Sequence, residues 1–223
     1  MLYNYFKTAI RNIWRNKTNS FLNTAGLSVG ITCAALIFLW VEDEFKYDDY
    51  NVKKDVLYQV YENLPYEGKI YTSAATSGPL AQGMKSEMPG VKNACRTTWR
   101  QKVLFSKGEN VVYEEGYYAD SSIFQLFTLP FVEGSPANVF DQLHSLVICE
   151  SMAKKIFGVD RNVVGKTVKV DHKDEYVIKG VMKDLPQNSS VHFKWVAPFE
   201  VFYQQNKWLD GWNNFGIQTF VAF

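Results

Sequence analysis

Cysteine is scarce in this chain of 223 residues: Cys33, Cys95 and Cys149 are the only three, and no two stand in a CxxC pair. The chain therefore carries no CxxC motif of the redox or zinc-binding kind. Cys95 and Cys149 lie in strand-like segments. They read either as a bridge formed in an oxidising compartment or as two isolated buried thiols. Histidine is as sparse: His144, His172 and His192 are far apart and make neither HxxxH nor HExxH spacing, so no metal site is spelled out. An excess of one charge is also missing. Lys and Arg total 24, Asp and Glu total 23, and the formal net charge is +1, which offers nucleic acid no general attraction. There is no internal repeat and no low-complexity linker, and proline and glycine fall singly as punctuation. Long apolar runs are missing with one exception.

The exception is Phe21 to Val41, inside "SFLNTAGLSVGITCAALIFLWVEDEFKYDDY". Roughly 20 uncharged residues are what a helix needs to cross the hydrocarbon core. A secretory signal has a shorter apolar run and a small-residue cleavage site, whereas this run ends on "LIFLWV". "VGITC" lacks the leucine-led lipobox, and apolar residues continue after Cys33. A soluble core helix of this length keeps a polar face, and Leu36 to Val41 has none. The reading is a membrane helix over 20–42. Lys7, Arg11, Arg15 and Lys17 precede it, and the first acid is Glu42. Basic flanks stay on the cytoplasmic side, so the expected topology is N-terminus in and residues 43–223 outside. The remainder is long enough for one medium domain or two small subdomains.

Ahead of the span, Phe6, Ile10, Ile13 and Trp14 fall at i, i+4, i+7 and i+8, with Lys7, Arg11 and Arg15 on the other side. This predicts a basic amphipathic helix over 1–19 lying at the cytoplasmic interface, where Trp14, Arg11 and Arg15 meet the headgroups; Trp40 suits the opposite interface. "NKTNS" is expected to break it before the span. Within the span, Gly26, Gly30 and Ala34 form a small-residue stripe. Thr24, Ser28 and Thr32 form a second, about 160° away at helical pitch. Two such faces suit a helix pressed between neighbours.

Beyond the span, strands dominate. "VLYQVYENL", the pair "CRTTWRQKVLFSK" and "NVVYEEGYYAD" joined around Gly108, and the hairpin "KTVKVDHKDEYVIKGVMKDLP" with its turn near His172 to Asp174 all read as β-structure. Leu80 to Met88 reads as a helix closed by Pro89 and Gly90, "SSIFQLF" as a short helix capped by Ser121 or Ser122, and "SLVICESMAKKIFG" as a strand running into a helix that Gly158 ends. "VHFKWVAPFEVF" and "IQTFVAF" read as further strand or mixed segments. The expected class is α+β.

Several catalytic spellings are incomplete. "GKT" at Gly165 to Thr167 needs a first glycine where Asp160 stands, so it lacks the phosphate-wrapping loop and reads as a turn into a strand. "SMAK" at Ser151 to Lys154 matches SxxK but has no SDN or KTG partner. The many Tyr and Phe residues read as strand-rich core packing, not as a cofactor box. No catalytic residue, cofactor or metal ligand is expected, and the chain is read as a non-enzyme.

The opening "YFKTAIRNIWRNKTNSFLNTAGLSVGITCAALIFLWVEDEFKYDDYN" resembles the N-terminus of MacB/FtsX-like ABC transporter permeases. "GSPANVFDQLHSLVICESMAKKIFG", "GKTVKVD", "YVIKGVMKDLPQNSS" and "HFKWVAPFE" resemble, in order, the periplasmic core domain of that family. The resemblance implies one membrane helix, then a two-lobed extracytoplasmic α+β domain, then further spans. It places the chain in the bacterial cytoplasmic membrane. The implied partners are a cytoplasmic ABC ATPase, membrane lipid, a second permease copy or half, and a periplasmic partner. ATP hydrolysis would drive the helices, and the outer domain would carry that motion for export or mechanotransmission. On this resemblance the chain stops inside the outer domain, so an incompletely covered lobe is expected, with exposed apolar surface around Phe220 to Phe223. The alternative is a single-pass anchored sensory or binding module.

Overall fold

The computed structural model describes residues 2–223 and divides into two compact units, one ending at Tyr47 and one running from Asp48 to Phe223. The first unit is two helices, α1 (Leu2–Arg15) and α2 (Lys17–Phe45). The break between them is shorter than "NKTNS" suggests: Asn16 alone leaves the helical conformation, and Lys17 already belongs to α2. Helix α2 has no buried residue, and it is long and apolar enough to cross a membrane. At about 1.5 Å per residue its 29 residues reach roughly 44 Å, more than the ~30 Å hydrocarbon core. The surplus lies at its polar ends, where Glu42 accepts a hydrogen bond from Lys46 one turn on, at 2.6 Å.

The second unit begins with four short strands, β1 (Leu57–Gln59), β2 (Glu62–Tyr66), β3 (Lys69–Ser73) and β4 (Thr76–Ser77), and then helix α3 (Leu80–Glu87). Next come β5 (Asn93–Thr97), β6 (Gln101–Lys107), β7 (Asn110–Ala119), α4 (Ile123–Leu126) and β8 (Phe131–Glu133). Strand β9 (Ser145–Cys149) runs directly into α5 (Glu150–Phe157), followed by β10 (Thr167–Val170) and β11 (Asp174–Met182). The chain closes with β12 (Trp195–Pro198), α6 (Phe199–Gln205), a single 3-10 turn and β13 (Phe215–Ala222).

This is the expected α+β class, and its sheet has a closed part. Strand β7 pairs in parallel with β12, β12 antiparallel with β9, and β9 in parallel with β11. Strand β11 then pairs with β10, β10 with β6, and β6 back with β7. These six strands form a ring without free edges, which removes the exposed hydrogen-bonding groups of an open sheet. The ring can close because β7 serves two neighbours along its length: Asn110 to Gly116 face β6, and Gly116 to Ala119 face β12. A Cβ on Gly116 would lie 2.2 Å from the Trp195 carbonyl oxygen and 2.4 Å from its indole. Only glycine lets the two strands approach there.

Trp195 is the largest fully buried side chain. Phe105 and Tyr118 meet its ring edge-on at 5.5 and 5.1 Å, and its Nε1–H donates to the Glu114 carbonyl at 2.9 Å, so the indole is packed without an orphaned donor. Leu146, Ile148, Met152, Ile156, Ile178 and Met182 complete this core with next to no exposure. Helix α5 covers the ring with Met152, Ala153 and Ile156, and Gly158 ends it at φ +74°, the left-handed geometry glycine supplies.

A wing extends from the ring through β5, which pairs with β7 at Thr97 and with β13 over five residues. The expectation of exposed apolar surface around Phe220 to Phe223 is corrected in part: Phe223 stays 43% exposed, but the strand before it is covered. Strand β13 lies between β5 and β1, with β4 also alongside. Val221 and Ala222 are buried, Phe220 meets Phe127 edge-on, and Phe223 packs on Tyr58. The cover comes from β1, more than 150 residues earlier in the chain, a pairing that no local pattern encodes. Three smaller expectations are refined. "VLYQVYENL" splits into β1 and β2, because β1 joins β13 while β2 turns away to pair with β3. "CRTTWRQKVLFSK" splits into β5 and β6, and only β6 forms the hairpin with β7 around Gly108. Ser122 occupies the cap of α4, yet its hydroxyl donates to the Ala94 carbonyl instead.

Candidate functional site

The sequence-derived residues of the first unit all lie at its surface. Gly26, Gly30, Ala34, Thr24, Ser28 and Thr32 are exposed, and a Cβ on Gly26 or Gly30 would meet nothing within 4 Å. The Thr32 hydroxyl donates to the Ser28 carbonyl one turn back at 2.8 Å, so that hydroxyl is satisfied within the helix. Arg11, Arg15, Trp14 and Trp40 are exposed as well. The Lys17 ammonium stands 5.8 Å from the Trp14 ring, which brings a cation and an amphipathic ring together, the pairing found at a membrane interface.

In the second unit the tempting chemical groups are already engaged. The Ser151 hydroxyl donates to Asp184 Oδ1 at 2.5 Å, and the Ser151 backbone N–H donates to Asp184 Oδ2 at 2.9 Å. Lys194 also donates to Asp184 Oδ1, at 2.5 Å. Burial by itself raises the Asp184 carboxyl, but the donors from Lys194 and Ser151 outweigh it and hold the pKa down at about 2. A carboxylate that acidic is a weak base, so the serine of "SMAK" is paired with an anchor and not with an activating lysine.

The "GKT" segment is engaged in another way. Gly165 adopts φ +86°, and Lys166 lies over the Phe157 ring at 5.3 Å. The nearby backbone N–H groups of Asn162 and Val163 donate to the Glu133 carboxylate. These backbone donors are therefore already taken by an internal acid. Burial favours the protonated Glu133, and these backbone donors reverse that and lower its pKa.

Both extramembrane cysteines are free thiols. Burial pushes the Cys149 thiol up to about 12, helped by the neighbouring Asp184 charge, and burial raises Cys95 further still. A nucleophilic cysteine needs the opposite shift. His144 stacks on Tyr176 at 4.8 Å, while His172 and His192 are exposed. Among the described residues no group of three or more His, Cys, Asp or Glu could hold a metal ion.

Sequence reasoning missed the charged pairs that lock elements together. Arg96 grips Asp120 with two nitrogens, both at 3.0 Å, and lies 4.4 Å over the Phe199 ring. Lys155 reaches the buried Glu114 at 2.6 Å. It also missed the β2–β3 hairpin, a two-stranded sheet apart from the main one whose Tyr66, Ile70 and Tyr71 are exposed. The segments quoted for the family resemblance do contain Ser151, Asp184 and Lys194, and that was the one signal that could have singled them out.

Comparison with solved structures places the fold. A domain of a putative permease protein from Porphyromonas gingivalis is similar, with a TM-score of 0.63 at 23% identity, covering 76% of this chain and 75% of that one. The extracellular domain of the noncanonic ABC-type transporter YknZ from Gram-positive bacteria gives 0.55 at 16% identity, with 74% and 82% covered. The periplasmic region of MacB from Actinobacillus actinomycetemcomitans gives 0.55 at 15%, with 77% and 75% covered. None of the curated protein sequences compared with the chain is significantly similar. The sequence model of the MacB-like periplasmic core domain, however, matches residues 20–221, from inside the apolar helix to the last residues of β13. Helix and sheet unit are thus matched as one continuous segment, and the chain belongs to the MacB-like periplasmic core domain family.

Proposed function

We propose that this chain is part of the permease of a MacB/FtsX-type ABC transporter. Helix α2 crosses the cytoplasmic membrane, α1 lies at the cytoplasmic interface, and Asp48 to Phe223 stands outside. A cytoplasmic ATPase moves the helices, and the outer domain carries that motion to its targets for export or mechanotransmission, without chemistry of its own. Helix α2 packs through its Gly26, Gly30 and Ala34 face against a second permease copy or half. The observation that carries this reading is the continuous family match from inside the apolar helix to β13. Further support comes from an apolar helix whose surface is wholly uncovered and from polar groups engaged as structural anchors.

The test is co-isolation from membranes. The full open reading frame, expressed with a candidate cytoplasmic ABC ATPase from the same genome, should purify as one complex whose ATP turnover depends on the permease. A permease that purifies without any ATPase, or turnover indifferent to its presence, overturns the proposal.

A further inference from the structure

The segment that follows α2 is held to the rest of its unit at two separate places. Between the helix end at Phe45 and Asp48 stand only Lys46 and Tyr47, a length that spans at most about 11 Å even when extended. From Asp48 onward the chain is pinned. The Asp48 N–H donates to the Asn188 carbonyl at 2.9 Å. Its carboxylate receives the Ser190 N–H at 2.7 Å and the Ser190 hydroxyl. Asp48 adopts φ +58° to do this, a left-handed conformation uncommon for a residue other than glycine.

Two residues on, the Tyr50 hydroxyl lies 3.0 Å from Ser189 Oγ. Asn51, nearly fully buried, takes two donors from Thr128, the backbone N–H at 3.3 Å and the hydroxyl at 3.1 Å. The Val52 N–H donates back to Thr128 Oγ1 at 3.0 Å, and the Lys53 ammonium reaches the Gln125 carbonyl.

Both attachment points lead into the core. Residues 188–190 run into Val191, Phe193 and Trp195, all buried, and so into β12 of the closed ring. Thr128 follows α4, whose Ile123 and Leu126 belong to the same core. A tether of at most about 11 Å leaves little slack ahead of the interlocked six-residue segment. We infer that residues 48–53 form a clasp through which displacement of α2 enters the closed ring, with Asp48 and Asn51 as its two fixed points. The inference rests on the mechanotransmission reading proposed above and assigns it a physical route.

The test uses the full permease with its ATPase in lipid nanodiscs. Amide hydrogen exchange is followed without nucleotide and with ADP and vanadate. In the wild type, nucleotide should change exchange at Val52, at Ser190 and along β12. In Asp48→Ala combined with Thr128→Val, the nucleotide-dependent change in β12 should fall at least several-fold, while ATP turnover stays within about twofold. Thr72→Ala, which removes only the bond to Asn63 in the β2–β3 hairpin, should behave as wild type. A full nucleotide response in β12 of the double variant overturns the clasp and leaves the permease reading standing. Absence of any nucleotide response in the wild-type domain overturns mechanotransmission, and the clasp with it. Where the double variant folds poorly, Ser190→Ala with Thr128→Val removes one hydroxyl donor from each fixed point, leaves their backbone donors in place and must still weaken the response; an unchanged response there also overturns the clasp.

Discussion

Asp184→Asn isolates the charged anchor between β11 and β12. The carboxylate accepts three donors, two from Ser151 and one from Lys194. An amide presents one oxygen and one NH2 group, so either orientation sets a donor against a donor. The depressed pKa, about 2 against 3.8, converts at about 1.4 kcal/mol per unit to roughly 2.5 kcal/mol. The side chain is 33% exposed, so solvent screening reduces this, and we expect Asp184→Asn to cost about 1–2 kcal/mol at neutral pH. The sign follows from the depressed folded-state value. The carboxylate stabilises the fold fully above its unfolded pKa near 3.8 and loses that contribution as pH falls through about 2. The stability gap between wild type and variant should be constant from pH 8 to 5 and about halved by pH 3. Urea denaturation of the detergent-solubilised chain, followed by tryptophan fluorescence at fixed pH values, reads this directly. A gap below about 0.3 kcal/mol at pH 7, or one that does not shrink by pH 3, refutes the anchor reasoning.

Four further outcomes are expected. Gly116→Ala puts a Cβ 2.2 Å from the Trp195 carbonyl oxygen and should cost at least about 3 kcal/mol, seen as lost soluble yield or a lowered Tm, whereas Gly108→Ala, with open space around its Cβ, should cost no more than about 1–2 kcal/mol for its positive φ. Gly30→Leu should leave the fold of the chain intact, since nothing lies within 4 Å, yet reduce crosslinking to a neighbouring span in the assembled transporter; Leu36→Ile should not. A cysteine at the exposed Lys173, in the β10–β11 turn, should react with a membrane-impermeant maleimide in intact cells, and reaction only after lysis would reverse the topology. Amides of β13 from Thr219 to Val221 should exchange as slowly as those of β11, because β13 is paired on both sides; fast exchange there would restore an open C-terminal strand.

Local chemistry made much of this protein legible in its sequence. An uncharged run of membrane length, a basic flank, a helical repeat of apolar residues and a glycine after "KKIF" each act within one or two turns of chain, so α1, α2, α5 and the β10–β11 hairpin could be read without coordinates. That "GKT" and "SMAK" lack the partner residues of the catalytic motifs they resemble was readable from the sequence, although the carboxylates near them, Glu133 and Asp184, were not. What only the tertiary structure decided are the pairings of residues far apart in the chain. Strand β13 is covered because β1 returns beside it, the ring closes because Gly116 admits Trp195, and the segment after the membrane helix is fixed by Thr128 and by the loop at 188–190. Period, charge and turn chemistry constrain neighbours along the chain. Which strands meet, and which carboxylate finds which donor, depends on how the whole core packs, and that free energy is shared among residues more than a hundred positions apart.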